Sequence, residues 1–256
     1  MASFDLVGGT AILNFPEKKN LSDKKKIAKD LIATHKNIKT VLEKVGKIKG
    51  RLRIFKTRHL AGKKTKDVLY KENNCLFKFN IDRTYFSPRL SNERLEIAKK
   101  IKRKDNVLVM FAGVAPFSIV IAKIAKPKIV YSVELNRQAS KYAQENVKLN
   151  KLEDKVQVIQ GDVKKVIPKF KKKFDVIVMP RPQLKESFLE QAFQVSKKGT
   201  RIFYYGFEKE GNEKKIVEQI ESEAKKSKKR VKIEKVKKAG NIAPYKYRYR
   251  VEFKII

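Results

Sequence analysis

Apolar runs alternate with amphipathic stretches from Val107 to about residue 205, and this pattern predicts a regular succession of strands and helices. The predicted strands are Val107–Met110, Ile129–Val133, Val156–Ile159, Phe174–Met179 and Arg201–Gly206. Segments of helical length or periodicity lie between them, at Ser118–Ile124, Gln138–Leu149 and Lys185–Val195. Such an order predicts a doubly wound α/β domain with a mostly parallel sheet.

The chain after residue 205 continues the pattern in a different form. Glu213–Ala224 has the periodicity of a further helix, and a lysine-rich stretch follows it over 225–238. Strands are predicted near Val231–Val236 and Tyr247–Ile255. We expect these two to be antiparallel edge strands that close the sheet.

The segment before residue 82 predicts a smaller α+β domain. Its predicted elements are a hairpin at 3–15 with Gly8-Gly9 as its turn, a helix at Leu21–His35 capped by Ser22, and strands at Val41–Val45 and Leu76–Ile81. Basic and apolar residues alternate over 46–58, which predicts a strand with one face in the core and one facing a polyanion; an ordinary solvated face is the alternative. The predicted division is therefore 1–82 for this domain and 83–256 for the α/β domain.

Composition changes the picture mainly through charge. The 256 residues include 63 Lys plus Arg against 27 Asp plus Glu, for a formal net charge of +36. A field of that size attracts polyanions and favours nucleic-acid binding, whereas a thermophile surface enriches Glu together with Lys. Cys75 is the single cysteine, so no intramolecular disulfide can form and a reducing cytoplasm is expected. With only two histidines, no structural zinc site is expected, and no apolar run approaches the roughly 20 residues of a membrane span.

Candidate chemistry lies at the predicted carboxyl ends of the strands, where ligands of open α/β sheets bind. The first strand ends in a small-residue turn at Ala112-Gly113, without the further glycines of the dinucleotide fingerprint. Glu134 ends the second strand, where a carboxylate can accept hydrogen bonds from both ribose hydroxyls. Asp162 ends the third and could accept from an adenine amino group. Each acid alone has an ordinary alternative, as a strand-end or capping residue, but their order predicts a nucleotide-like cofactor such as S-adenosylmethionine.

Two further segments suggest how a substrate is held. Met179-Pro180-Arg181-Pro182 ends the fourth strand, and Arg181 could contact a phosphate or a guanine base; the alternative is a surface arginine. Ser91 is predicted to cap a helix that extends through Ile101, which places Glu93 in its first turn. A carboxylate there is favoured by the helix dipole alone, so the position does not by itself indicate catalysis.

Two blocks carry a specific resemblance to a known family. They are Tyr-Phe-Ser-Pro-Arg-Leu-Ser-Asn-Glu-Arg at 85–94 and Phe-Ala-Gly-Val-Ala-Pro-Phe-Ser-Ile at 111–119. With the opening Ser-Phe-Asp-Leu-Val-Gly-Gly, the Leu-Ala-Gly at 60–62 and the Asn-Ile-Ala-Pro-Tyr at 241–245, the chain resembles the archaeal and eukaryotic tRNA guanine-37 N1-methyltransferases. The resemblance implies a class I S-adenosylmethionine-dependent fold preceded by a small tRNA-contacting domain, in a short form without the family's further N-terminal domain. A monomer is expected.

The resemblance also assigns roles to residues. Glu93 falls on the family's general base and Arg53 on its guanine-contacting arginine, while Tyr85, Arg89 and Glu134 match positions that hold the cofactor. The turn and strand-end residues complete the predicted cofactor site: Phe111, Ala112, Gly113, Val114, Pro116, Phe117, Leu135, Asp162, Val163 and Pro180. Arg53, Arg181 and Pro182 are the predicted substrate contacts.

The implied reaction is methyl transfer from S-adenosylmethionine to N1 of guanosine 37 in tRNA. Three positions depart from the family: Val109 stands for an acidic residue, Ala115 for a second glycine and Pro180 for an asparagine. These departures raise the possibility of a site that also accepts a tricyclic wyosine precursor. Two alternatives stay open, a wyosine-pathway aminocarboxypropyl transferase and a non-catalytic RNA-binding relative. The Ala115-Pro116-Phe117 turn favours methyl transfer over the former, and retention of Glu93 argues against the latter.

Overall fold

The computed structural model describes residues 4–16, 19–50, 52 and 54–256. Two sheets and one helix form the part of the chain before residue 82. In chain order the elements are β1 (Phe4–Val7), β2 (Thr10–Leu13), α1 (Leu21–Thr34), β3 (Thr40–Lys49), β4 (Ile54–Gly62), β5 (Asp67–Glu72) and β6 (Cys75–Asn80). β1 to β4 make a four-stranded sheet in sequence order, and β5 and β6 pair as a separate hairpin. The predicted β1–β2 hairpin is confirmed.

A seven-stranded sheet with helices forms the rest. Its elements are α2 (Ser91–Lys100), β7 (Asn106–Met110), α3 (Pro116–Ala125), β8 (Ile129–Glu134), α4 (Arg137–Leu149), β9 (Val156–Gln160), α5 (Val163–Val166), β10 (Phe174–Met179), α6 (Leu189–Gln194), β11 (Ser196–Lys209), α7 (Lys214–Lys226), β12 (Val231–Ala243) and β13 (Lys246–Ile255). The strand order is β12-β13-β11-β10-β7-β8-β9. The predicted doubly wound sheet is confirmed.

The order of the strands sets the place for a ligand. β7 to β11 run parallel, with β8 and β9 on one side of β7 and β10 and β11 on the other. Strands are therefore added towards one edge of the sheet from β7 to β9 and towards the other edge from β10 to β11. The carboxyl ends of β7 and β10, where the two halves meet, leave a crevice. β13 pairs antiparallel with both β11 and β12, so of these last two strands β12 lies at the edge of the sheet and β13 does not, contrary to the prediction for both.

Both faces of the sheet are covered, because alternate residues of its central strands enter two separate cores. Val107 and Val109 of β7 belong to the core under α2, α3 and α4, whereas Leu108 and Met110 belong to the core with α6 and α7. Continuous apolar runs are typical of such doubly covered parallel strands. No helix in the described part of the chain is long and apolar enough to cross a membrane.

The hairpin of β5 and β6 packs against the large sheet's helices and also shares a core with Val7, Ile12 and Leu42 of the first sheet. Asn146 of α4 and Asn150, which caps the end of α4, each exchange hydrogen bonds with β6, through the backbone of Lys78 and Leu76, at 2.7–3.0 Å. Two buried asparagines thus satisfy the open edge of the strand. The boundary at residue 82 stays a prediction.

Four further local predictions differ from the structure. The single strand predicted over 46–58 is divided between two antiparallel strands, since β3 ends at Lys49 and β4 begins at Ile54. Asn20, not Ser22, caps α1, since its Oδ1 accepts from the Asp23 N–H at 2.8 Å. Ser91 lies inside α2, because a 3₁₀ turn at Pro88–Leu90 leads directly into the helix. The helix predicted over Lys185–Val195 shortens to α6, since the residues before Leu189 form a loop.

Candidate active site

The turn after β7 is shaped by three residues with left-handed backbone angles. φ is +61° at Phe111, +59° at Gly113 and +65° at Ala115. Glycine adopts this region at little cost, whereas a residue with a Cβ is strained there. Ala115, fully buried, begins α3 in that conformation and thus bears the strain that the family's glycine would avoid.

Glu134 at the end of β8 ties this turn to the next strand. Its Oε2 accepts from the Gly113 N–H at 2.7 Å, and its Oε1 accepts from the Asn136 N–H at 2.7 Å. Burial raises the pKa of Glu134, and the backbone donors from Asn136, Gly113 and Leu135 offset part of that rise. A carboxylate has about four lone-pair sites, so both oxygens keep capacity to accept from two ligand hydroxyls.

Asp162 lies at the start of α5, immediately beyond β9. Its Oδ1 accepts from the Lys164 N–H at 2.9 Å, so the capping role considered for it is confirmed. Asp162 also lines the same cavity as Glu134. The capping bond uses one oxygen of the carboxylate and fixes its orientation at the cavity wall.

One cavity lies over these carboxyl ends and includes about 720 Å³ of empty space up to its open mouth. Its predicted lining residues are Tyr85, Phe111, Gly113, Glu134, Leu135, Asp162, Val163, Pro180 and Pro182. The remaining lining residues are Leu52, Val133, Asn136, Ala139, Gly161, Leu184 and Phe188. Two strand-end carboxylates in a mostly apolar cleft fit the hydroxyls, amino group and planar base of an adenosine.

The apolar wall of the cavity is built by residues distant in sequence. The rings of Phe111 and Phe188 meet edge to face at 4.9 Å between centroids. Phe188 itself has a positive φ of +59°, which turns the chain into α6. Leu52, from the connection between β3 and β4, reaches the cavity from the first sheet.

Four predicted cofactor residues lie beneath the turn instead of lining the cavity. They are Ala112, Val114, Pro116 and Phe117, all buried. Asn146 of α4 donates to the Val114 carbonyl at 3.2 Å, which anchors the turn from below. These residues shape the backbone around Gly113, and their predicted contact with the cofactor stays a prediction.

Arg89 and Arg181 lie where the sequence did not predict them. The Arg89 side chain is 74% exposed and pairs with Asp5 at 2.6 Å, away from the cavity lining. Arg181 is buried, and its Nη1 donates to the carbonyls of Pro182, Leu184 and Glu186 at 2.9–3.3 Å.

The environment of Arg181 explains its role. Its guanidinium also lies over the rings of Tyr204 and Phe207, 5.1 and 5.6 Å from their centroids. The surface-arginine alternative is therefore wrong. The predicted contact to phosphate or guanine stays a prediction, and the burial of the side chain and the donation from Nη1 to the loop's own carbonyls argue against it. Arg181 shapes the loop after Pro180, which forms one wall of the cavity.

Glu93 belongs to a buried ionic cluster behind the cavity. Its Oε2 accepts from Arg250 Nη1 at 2.5 Å and from the Tyr205 hydroxyl at 3.1 Å, and its Oε1 lies 3.3 Å from Lys237 Nζ. Arg250 is fully buried and also pairs with Glu96 and Glu252. Tyr205 follows Tyr204, the partner of Met179 in the sheet, so Glu93 lies beside the end of β10 without lining the cavity.

Arg53 lies outside the described residues. Its neighbour Leu52 is described and lines the cavity.

Comparison with known proteins agrees with this geometry. The model of the TRM5/TYW2 methyltransferase domain matches residues 68–234, and that of the TYW2 N-terminal domain matches residues 1–65. The chain belongs to the TRM5/TYW2 methyltransferase family. The fold of this TRM5/TYW2 member is accordingly that of class I S-adenosylmethionine-dependent methyltransferases, and the protein is an enzyme of that class.

Individual relatives cover nearly all of this TRM5/TYW2 chain. The tRNA (guanine(37)-N(1))-methyltransferase Trm5b of Pyrococcus abyssi is 35% identical over 254 residues, which are 99% of this chain and 74% of that protein. The tRNA (guanine(37)-N(1))/4-demethylwyosine(37)-methyltransferase Taw22 of Nanoarchaeum equitans is 32% identical, over 99% of this chain and 100% of that protein. The solved complex of aTrm5 and tRNALeu superposes with a TM-score of 0.87 at 29% identity, covering 99% of this chain and 72% of that one.

The cavity residues of this family member that the sequence did not predict fall into two groups, residues beside the strand ends and residues in loops. Val133, Asn136, Ala139 and Gly161 flank strand ends already identified, so the strand-end rule extended by a few residues would have found them. Leu52, Leu184 and Phe188 come from loops, whose approach to the site depends on tertiary packing.

Proposed function

We propose that the protein transfers a methyl group from S-adenosylmethionine to N1 of guanosine 37 in tRNA. The cavity carries the proposal: it places Glu134 and Asp162 at the second and third strand ends beside the Gly113 turn, in a chain of the TRM5/TYW2 family. Two relatives of 35% and 32% identity, named for methylation at position 37 of tRNA, support the RNA and the position. The proposal includes a monomeric protein in the cytoplasm.

Different cavity residues bind different chemical groups of the cofactor. Glu134 accepts from the ribose hydroxyls, Asp162 from the adenine amino group, and Phe111, Leu135 and Val163 enclose the base. S-adenosylmethionine supplies a methyl group already activated by its sulfonium charge. The protein therefore needs mainly to orient the guanine N1 against that methyl and to exclude water.

The remaining task is proton transfer from the guanine. N1 loses its proton as the N1–CH₃ bond forms and the S–CH₃ bond breaks, and the sulfonium leaves as a neutral thioether. We assign the proton to Glu93 and the charge developing on O6 to Arg53, since methylation of so weak an acid needs a positioned base and a cation. The leaving group carries no charge, so one carboxylate suffices.

The two carboxylate oxygens of Glu93 differ in how free they are to accept the proton from guanine N1. Oε2 is held by buried donors from Arg250 and Tyr205. Oε1 lies 3.3 Å from Lys237, whose side chain is 38% exposed and can move aside. We therefore assign Oε1 to the proton, which requires Lys237 to release it when the substrate base enters.

Replacement of Glu93 by Gln tests this assignment. Methyl transfer is expected to slow by about 10²–10⁴-fold, the usual worth of a positioned base, with near-normal cofactor affinity. Glu96→Gln is the matched control, because Glu96 bonds the same Arg250 and Lys237 from the same helix. Equal single-turnover rates for Glu93→Gln and the native protein would remove Glu93 from the mechanism.

Wyosine-precursor methylation is a second candidate, favoured by Pro180, which lines the cavity where family members carry an asparagine. Mass spectrometry of nucleosides from unmodified and precursor-bearing tRNA, incubated with protein and labelled cofactor, separates the candidates. Label from the methyl group on guanosine supports the main proposal, and label on the tricyclic base supports the second. Label only from the carboxypropyl carbons indicates the aminocarboxypropyl transferase, and no label indicates an RNA-binding protein.

A further inference from the structure

The turn between β12 and β13 combines three unusual properties in one residue. Tyr245 is 77% exposed, more than any other large apolar or aromatic side chain among the described residues. Its φ is +56°, in the left-handed region. It follows Pro244 in a two-residue connection, since Ala243 and Lys246 pair directly across it.

A tyrosine is a poor choice for that turn on grounds of stability. Proline fixes a negative φ at the first central position, and a positive φ at the second is the geometry that glycine or asparagine adopts most easily. Tyr245 therefore bears backbone strain while its ring stays in water. When buried contacts do not offset such backbone strain, the residue is a candidate for a functional role.

The surroundings of Tyr245 indicate a negatively charged partner. Lys209 and Lys246 lie directly opposite each other in the β11–β13 ladder, one residue from the turn. Glu208 and Glu210 flank Lys209, but Glu210 pairs with Lys238 at 2.5 Å, and neither of the two facing lysines forms an ion pair among the described residues. Like charges that face each other across strands without such a counter-charge destabilise a sheet. The Tyr245 carbonyl accepts from the Glu210 N–H at 3.0 Å, so the turn is fixed to the end of β11.

The turn between β12 and β13 and the cavity both lie at the carboxyl end of the parallel strands. Tyr204 pairs with Met179 at the end of β10, and β11 continues five residues farther to Lys209. At about 3.3 Å per residue, β11 and β13 project about 17 Å beyond the level at which β10 ends. An RNA loop whose target base enters the cavity would extend over this projecting arm.

We propose that Tyr245 stacks on an unpaired base of the same RNA loop that presents the target guanosine. The inference rests on the proposed function. Aromatic side chains bind single-stranded RNA by stacking, and the lysines beside Tyr245 attract the adjoining phosphates. Tyr245 thus helps to select a single-stranded loop and takes no part in methyl transfer.

Tyr245→Asn and Tyr245→Phe test the proposal with an unmodified tRNA transcript carrying guanosine 37. Loss of the ring in Tyr245→Asn is expected to raise the Kd and KM for tRNA about 5- to 150-fold, the range measured for a stacked base. Affinity for S-adenosylhomocysteine and kcat at saturating tRNA are expected to stay unchanged. Tyr245→Phe keeps the ring and is expected to bind within about twofold of the native protein.

Thermal unfolding separates this role from a structural one. Asparagine suits a left-handed turn position, so Tyr245→Asn is expected to unfold at the same or a higher temperature while binding tRNA less tightly. Leu149→Asn is the control for an exposed apolar side chain, on α4 towards the opposite edge of the sheet. It is expected to leave tRNA affinity unchanged.

Abasic substitutions at each position of the anticodon loop identify the stacked base. At that position the effects of the abasic site and of Tyr245→Asn are expected to be non-additive, because both remove the same contact. Additive effects at every position, or unchanged tRNA affinity in Tyr245→Asn, would overturn the inference while leaving methyl transfer intact. Absence of methyl transfer by the native protein would instead remove the proposed function itself.

Discussion

The three positions at which this chain departs from the family differ in whether they line the cavity. Val109 and Ala115 are both fully buried and neither lines the cavity, so their effect on the cofactor can only pass through the backbone of the turn. Pro180 does line it and replaces an amide that could hold the target base. Among the three departures, Pro180 is therefore the one placed to alter substrate choice.

Glu134 is the residue on which cofactor binding should depend most. Glu134→Ala removes the acceptor for two backbone N–H groups and for the ribose, so cofactor affinity is expected to fall about 10- to 150-fold, the worth of hydrogen bonds to a charged group. Glu134→Gln keeps one acceptor oxygen and should lose less. Calorimetric titration with S-adenosylhomocysteine measures both.

A surface acid provides the control for Glu134. Glu145 is 53% exposed and pairs with Lys78, so Glu145→Gln removes a negative charge without touching the cavity. Equal cofactor affinities for the Glu134 and Glu145 variants would contradict the assigned role.

Behind the cavity, ion pairs connect helix α2 with strands β12 and β13. Glu93 and Glu96 on α2 meet Arg250 and Glu252 on β13 and Lys237 on β12. Hydrogen bonds from Arg250 and Lys237 lower the pKa of Glu96 from 4.5 to about 2, with burial opposing them. Removing one member of such a cluster leaves buried charge without a partner, which is strongly destabilising.

The depressed pKa of Glu96 predicts a pH dependence of stability. Because this carboxyl is more acidic in the folded than in the unfolded state, its contribution is complete above about pH 5 and is lost as pH falls towards 2. Denaturant unfolding across that range should show Glu96→Gln less stable than the native protein near neutral pH, with the difference shrinking in acid. Parallel stability curves would show that Glu96 does not titrate as described.

On the scale of the whole molecule, charge is expected to dominate the proposed encounter with tRNA. The net charge of +36 is spread along the chain, and many lysines lie on exposed positions of α1, α7 and β12. Binding through phosphates releases counterions, so affinity depends steeply on salt.

Salt titration tests this view of the whole surface. If about six phosphates are neutralised, tRNA affinity should fall about 10³-fold between 50 and 200 mM salt. Cofactor affinity, which depends on the enclosed cavity, should change little over the same range. Filter binding at several salt concentrations measures the slope, and a flat response would show that the excess lysines do not contact the RNA.

The sequence by itself determined the elements and the chemistry at the strand ends. Apolar runs and periodicity are local properties, so β7 to β10 and α4 could be predicted close to their bounds, whereas β11 is eight residues longer than predicted. Glu134 and Asp162 followed from the strand-end rule. The glycine turn was equally local.

Only the tertiary structure decided which distant residues meet. Arg250 bonds Glu93 across 157 positions of sequence, and β13 inserts between β11 and β12, although nothing in their alternating patterns specifies a neighbour. Arg181 resembled a surface or substrate-binding residue until the loop carbonyls and the rings of Tyr204 and Phe207 enclosed it. A side chain's charge is written in the sequence, but its partners depend on long-range packing, and partners decide whether it binds substrate or holds the fold.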